Sequence, residues 1–422
     1  MRGALADTRP LAVPAYRRLW LANIVTVIGA QLTVVAVPAQ IYAITGSSFY
    51  VGLTGVFGLV PLIIFGLYGG ALADVMDRRQ LLMITTVGLI VMSALFWAQA
   101  ELGWSNVWLI LLIFAAQQAF FAVNQPTRSA LLPRIIPADL LPAANSLNMT
   151  VMQAGAIAGP LVGGALIPVL GYAALYLLDT LCLFATLWAV FKLPPLPPLE
   201  KVGRAGLRSV LEGFAYLRGH TVLLMSFVVD IIAMVFGMPR ALFPQIAHES
   251  FGGPIDGGLA FALLFAAIPL GAVVGGVFSG WVSRVSRQGV AVVVAIIVWG
   301  LAMTVFGLAV WRASGSIGVA FWVAFVALAI GGAADMASAA FRSTMLQQAA
   351  ADDVRGRLQG VFIVVVAGGP RIADVVHGGA AAVVGTAAAA TGGGVLVVVL
   401  VVAVTLAVPA FVRYRVAPAP AI

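Results

Sequence analysis

The chain has 422 residues, 62% hydrophobic and 9% charged, with a formal net charge of +8 and a mean hydropathy of +1.08. A water-soluble protein carries about a quarter of its residues as charges, so this composition excludes a soluble enzyme or a soluble nucleic-acid-binding domain. The surface is one for lipid.

About 20 mostly apolar residues carry a helix across a bilayer, and hydropathy windows predict twelve such runs. In the first half they are Arg17–Ala43, Tyr50–Ala73, Gln80–Ala100, Asn106–Gln125, Asn145–Leu170 and Tyr172–Leu193. In the second they are Thr221–Ile246, Gly257–Ser283, Gln288–Trp311, Ser316–Phe341, Leu358–Thr386 and Thr391–Arg413. The prediction is an all-α membrane protein of two parallel six-helix repeats, 1–193 and 221–422, joined by a linker over 194–220. Basic residues fall in every second loop: Arg2, Arg9, Arg17 and Arg18 before the first span, Arg78 and Arg79 after the second, Arg128 and Arg134 after the fourth. Lys201, Arg204, Arg208 and Arg218 follow the sixth, Arg284 and Arg287 the eighth, Arg355 and Arg357 the tenth, Arg413 and Arg415 the twelfth. That asymmetry predicts that both termini are cytoplasmic. The first apolar run is too long for a signal-peptide core and lacks a small-residue cleavage site, so no cleavable leader is expected. A single cysteine, Cys182, excludes an internal disulfide.

In the first span Gly29 is followed by Ala30 and Gln31, with Gln40 further along. The turn after the second span places the carboxylate of Asp74 at one helix end and Arg78 and Arg79 at the start of the next, a set that can clamp neighbouring helix ends. The plain alternative is a solvated loop whose arginines set topology. Gly66, Gly69 and Gly70 let the second span approach a neighbour closely. Gln117, Gln118 and Asn124 lie in the fourth span, Asn148 and Gln153 in the fifth. With Gln31 and Gln40 these amides are candidates to bind a polar substrate. The fifth span also carries Gly155, Gly159, Pro160, Gly163 and Gly164, in which small residues four apart allow close backbone packing and Pro160 bends the helix. Ordinary glycine-rich packing accounts for the same string.

The linker opens with Pro194-Pro195-Leu196-Pro197-Pro198, and Leu207, Leu211, Phe214 and Leu217 follow at helical spacing among arginines. This predicts a short amphipathic helix on the membrane surface, with a flexible tether as the alternative. The two halves align at a drifting separation: Pro38 on Pro244, Pro61-Leu62 on Pro269-Leu270, Gly70 on Gly280, Arg128-Ser129 on Arg342-Ser343, Leu132 on Leu346. Parallel repeats of this kind place a substrate site at their interface near the midplane.

An ionisable residue inside a span costs about 2.5–3.5 kcal/mol at the helix centre and faces a cavity or a partner. Asp230, Asp335, Arg371, Asp374 and His377 qualify, all in the second half. Arg371, Asp374 and His377 are three residues apart, so Asp374 can reach both neighbours on one helix face. Asp374 is the first candidate for proton coupling and Asp230 the second; a static ion pair that fastens helices is the alternative.

The turn after the second span resembles the major facilitator signature Gly-x-Leu-Ala-Asp-x-x-Gly-Arg-Arg/Lys, matched at Gly70, Leu72, Ala73, Asp74, Arg78 and Arg79. Asp77 stands where that family usually has glycine and Val75 where it often has arginine; in the second half only Gly280, Arg284 and Arg287 remain. The glycine string of the fifth span resembles the signature of the antiporter, mostly exporting, branch. Pro14–Trp20, Pro126–Pro133, Ala266–Ala272, Thr344–Gln347 and Arg355–Gly360 narrow the likeness. They resemble the third drug–proton antiporter family, the branch of macrolide efflux pumps and enterobactin exporters. The likeness runs over nearly the whole chain.

The resemblance implies a transporter of the inner membrane, acting by alternating access, exporting an amphipathic small molecule in exchange for protons, and monomeric by default. A siderophore ranks ahead of a macrolide-like drug, and a lipid flippase or an uptake carrier is the further alternative. Arg240 matches an arginine of the enterobactin exporters and is implied as a ligand for an anionic catecholate; by itself it reads equally as an interfacial anchor. Asp179 ranks below the other carboxylates, because sixth spans of this fold sit away from the cavity. No cofactor or metal is expected, since neither a Walker-type string nor His-Glu-x-x-His occurs and the three histidines are scattered.

Overall fold

The computed structural model describes residues 7–197, 215–349 and 352–414. Among them the long elements are all helices: α1 (Pro14–Thr45), α2 (Ser48–Val75), α3 (Arg78–Glu101), α4 (Val107–Ile135), α5 (Leu141–Phe191), α6 (Thr221–Gly237), α7 (Leu259–Val277), α8 (Gln288–Trp311), α9 (Val319–Ala349), α10 (Asp352–Val384) and α11 (Thr386–Ala407). Ten helical stretches of the described residues are long and apolar enough to cross a membrane. Residues 198–214, which hold most of the predicted amphipathic linker helix, lie outside the described residues.

One predicted boundary is kept within a long element, and two departures from the predicted spans have local causes. The fifth and sixth spans follow one another directly in α5, 51 residues that comprise two helices joined at a kink. At about 1.5 Å per residue it is more than twice as long as the ~30 Å hydrocarbon core is thick. It is broken at Gly171, whose φ of 75° lies in the left-handed region, so it acts as two arms. The seventh span stops at Gly237, two residues before Pro239, and continues as a 3-10 turn (Arg240–Leu242) and a π turn (Ile246–Ser250). Proline has no N–H to extend the ladder. The eleventh span falls in α10, which begins six residues earlier, at Asp352, and carries Arg355, Arg357, Arg371 and Asp374. With these charges α10 is not among the ten apolar stretches.

The chain forms two compact units, one of Met1–Ile44 with Phe57–Gly206, the other of Thr45–Val56 with Leu207–Ile422. In the first, α3 packs on α4 and α5. Leu19 and Ala22 of α1, Leu82 of α3, Leu131 of α4, and Ala189 and Val190 of α5 make one buried cluster. The glycine string of α5 lies against α1: a side chain at Gly155 would strike Val27, one at Gly159 would strike Gln31, and Gly163 faces Leu32. Tyr16 fastens the same two helices by donating its hydroxyl to the Ala144 carbonyl at 2.9 Å.

In the second unit α8 packs against α9, α11 and α6, and α7 packs against α9. Trp299 of α8, fully buried, donates its indole N–H to the Ala233 carbonyl of α6 at 3.1 Å. Thr45–Val56, the first turns of α2 included, belongs to this unit. Gly52 and Gly55 lie on the backbone of α10, where a side chain would meet the carbonyls of Asp374 and Arg371, and Gly378 returns the contact to Ser48 and Gly52.

Candidate functional site

The ionisable residues predicted inside the second half form two groups. In one, Asp230 of α6 pairs with Arg342 of α9, and both side chains are buried. Arg342 also donates Nε–H to Ser338 Oγ at 3.2 Å. Asp335, two helical turns before Arg342, lies close enough to interact with both charges. A buried pair of this kind holds its geometry because either charge alone is costly in low dielectric.

In the second group Asp374 Oδ2 accepts from Arg240 Nη2 at 3.1 Å, the Arg240 side chain being 38% exposed and that of Asp374 7%. The partner of Asp374 thus comes from the 3-10 turn after α6. Arg371 donates to the carbonyl of Ala367 at 2.8 Å on its own helix, and its charge interacts with those of Asp374 and Arg240. His377 Nε2 lies 3.1 Å from the Phe236 carbonyl, which requires the proton on that nitrogen. Asp374 Oδ1 is buried without a hydrogen bond. The result is one carboxylate between two guanidiniums, a locally cationic cluster that is partly exposed at Arg240. Close by, Ser48 Oγ donates to Gln245 Oε1 at 2.7 Å, and Gln245 Nε2 donates to Glu249 at 3.0 Å.

The amides of the first unit divide in two. Gln40 and Gln99 exchange amide hydrogen bonds of 3.2 and 3.0 Å, and Tyr176 donates to Gln40 Oε1 at 2.9 Å. Asn124 donates to Thr85 Oγ1 at 2.8 Å. Those two candidates lie inside the helix packing. Gln31, Gln117, Asn148 and Gln153 are half-buried and have no hydrogen bond to protein among the described residues, which leaves their amides available.

The charged turn is held within the first unit. Asp77 caps α3, with Oδ1 accepting from the backbone of Arg79 at 2.8 Å and of Gln80 at 3.2 Å, while Oδ2 accepts from the Leu196 amide at 2.8 Å. This occupies the position where the signature has glycine and explains what an aspartate does there. Buried Arg78 donates to the Ala130 carbonyl of α4 at 2.8 Å. Arg79 donates to the Phe191 carbonyl at 2.8 Å and lies 5.6 Å from the centre of the Phe191 ring. A cation on the last carbonyls of α5 also meets the negative end of the helix dipole. The side chain of Asp74 and that of Gly70's neighbourhood fall outside the described residues. Beyond the spans, Asp7 accepts a side-chain bond from Arg9, which holds its carboxyl below the ordinary value.

Sequence reasoning missed Arg342, although its alignment with Arg128 marked it: Arg128 donates to the Leu19 carbonyl of α1 at 3.4 Å. It also missed the hydroxyls and amides that meet these groups, among them Ser338, Gln99 and Tyr176.

The family model described as transmembrane secretion effector matches residues 5–419. The chain belongs to that family, within the major facilitator superfamily. It is therefore a multi-pass membrane transporter and not an enzyme. Its family relatives include proteins named enterobactin exporter EntS from Shigella boydii serotype 18 and Escherichia coli O1:K1 / APEC. Each is 28% identical over 358 residues, covering 83% of this chain and 81% of the relative. Among solved structures, a peptide transporter POT in complex with alafosfalin superposes with a TM-score of 0.76 at 12% identity, covering 97% of this chain and 96% of that one. A bacterial homologue of the human lysosomal transporter Spinster, inward-facing and unoccupied, gives 0.72 at 16%, covering 98% and 100%. At such identities the likeness concerns the fold.

Proposed function

We propose that this family member is a secondary active exporter of an amphipathic small molecule, a siderophore first, acting by alternating access with proton antiport. The observation that carries the reading is the partly exposed cationic cluster of Arg240, Arg371 and Asp374 in a chain whose relatives are named enterobactin exporters. A catecholate siderophore is anionic and aromatic, and a guanidinium recognises such a ligand by charge and by stacking. In the first unit Gln31, Gln117, Asn148 and Gln153 stay candidates to bind a polar substrate. Substrate arriving at Arg240 competes with the Asp374 carboxylate for the guanidinium. Asp374 is the first carrier of the coupling proton in this reading, with Asp230, Asp335, His377 and Arg371 supporting it.

In this proposal the helices cross the bilayer twelve times, because the two arms of α5 count separately and α10 crosses although it carries charges. The two six-helix halves alternate in exposing the site to either face of the bacterial inner membrane. The gating residues of this reading are Gly70, Asp74, Arg78 and Arg79 with Gly155, Gly159, Pro160, Gly163 and Gly164, which act from within the first unit. Both termini are cytoplasmic, and the protein works as a monomer without a cofactor.

The test is small-molecule profiling of cells lacking the gene, with medium and cytoplasm compared under iron limitation. Siderophore retained inside and missing from the medium supports the reading. Unchanged release moves the assignment to drug efflux or lipid transport on the same fold.

A further inference from the structure

Among the described residues the first unit holds one fully buried carboxylate, Asp179, and it is held unlike any in the second. Asp179, on the second arm of α5, is 2% exposed. Its Oδ2 accepts from Thr33 Oγ1 of α1 at 2.6 Å and from Ser93 Oγ of α3 at 2.8 Å. Its Oδ1 is buried without a hydrogen bond and faces Gly29 of α1, where a side chain would close the space. No ion pair to Asp179 exists among the described residues. Arg128, which reaches inward to the carbonyl of Leu19, meets α1 ten residues before Gly29, roughly 15 Å along the axis. Arg78, Arg79 and Lys192 lie at helix ends. The titratable groups near Asp179 are Cys182 and Tyr176 on its own helix, with Tyr172 beyond Tyr176; α1 and α3 present only hydroxyls and glycine to it.

An ionised carboxylate taken from water into this setting costs several kcal/mol, and two hydroxyl dipoles on one oxygen do not replace a counter-ion. The neutral acid removes that cost. Its carbonyl oxygen then accepts both hydroxyls, and the proton sits on Oδ1, the oxygen without a donor.

We infer that Asp179 is a proton-binding site of the first unit, held as the neutral acid in this conformation by its burial away from any counter-charge among the described residues. This occupancy needs no substrate. Its part in transport, a second proton store separate from Asp374, rests on the antiport reading above.

The test is infrared spectroscopy of the full-length protein in lipid at neutral pH, where a solvated aspartate, with a pKa of about 3.9, is ionised. Wild type minus Asp179→Asn is expected to show the C=O stretch of a protonated carboxylic acid, sensitive to deuteration. Wild type minus Asp374→Asn is expected to lack that band, because both proteins keep Asp179. A difference spectrum for Asp179→Asn that holds only ionised carboxylate stretches overturns the inference. Should Asp179→Asn not fold, Thr33→Val removes one hydrogen bond from the carbonyl oxygen while keeping the side-chain shape. The acid band then moves to higher frequency, and a band that stays put overturns the inference equally. Neither readout depends on transport, so a wrong substrate assignment and an ionised Asp179 are told apart.

Discussion

At the residue scale the two ion pairs of the second unit make opposite demands. Asp230 and Arg342 are both buried and answer each other. Asp230→Asn leaves a guanidinium in low dielectric without its counter-charge, a loss of about 3–5 kcal/mol. Chemical unfolding in detergent should show that loss, and Arg342→Met added to it should restore most of the stability. If Asp230→Asn unfolds like wild type, the pair does not hold α6 to α9. Arg240–Asp374 is half-open, because Arg240 is partly exposed. Asp374→Asn should therefore fold normally, bind substrate, and lose gradient-driven transport. Transport at the wild-type rate by Asp374→Asn would remove it from the coupling role and leave Asp230 and Asp335. The sequence showed that these carboxylates stand in apolar runs, which lipid makes costly. It did not show their partners, because hydropathy is a property of one strand of sequence and a partner is a property of packing. Thr33 and Asp179 are 146 residues apart, and Ser93 and Asp179 are 86. Gln40 and Asn124 looked available for the same reason, and they lie in hydrogen bonds to Gln99 and Thr85.

At the scale of elements, the helices were legible because a bilayer demands long apolar runs, and the break after Gly237 was written in Pro239. Gly171 divides α5 where two spans were predicted to meet. Its left-handed φ means that Gly171→Ala strains the backbone by roughly 1–2 kcal/mol, a fall in melting temperature that Ala at an ordinary helical position would not cause. The ladder of α5 makes a sharper demand. A leucine at Gly159 must displace Gln31 of α1, and Gly159→Leu should yield little folded protein by size-exclusion chromatography. Helix α2 is less simple. Its first turns, to Val56, belong to the second unit and its remainder to the first. Pro61 lies in α2 five residues past that boundary and removes a backbone hydrogen bond. Pro61→Ala should stiffen α2 and slow turnover in a transport assay while leaving substrate binding unchanged.

At the scale of the whole molecule, the alternation of basic loops predicts an orientation that a reporter reads directly. Green fluorescent protein fused after Ile422 should fluoresce in cells, and alkaline phosphatase at the same place should stay inactive. A phosphatase-active fusion would reverse the orientation and with it the direction assigned to export. A fluorescent, phosphatase-inactive fusion would assign the net charge of +8 to topology.

Cys182 is the one cysteine of the chain, and it lies against Gly29 beside Asp179. The protein thus arrives with a single thiol already placed at the interior carboxylate of the first unit. A maleimide that reacts there only under some conditions reports when α1 and α5 separate enough to let solvent in. A second cysteine introduced anywhere else creates a defined pair for spin-label distances, with no background thiols to remove first. The molecule's own reporter is native sequence.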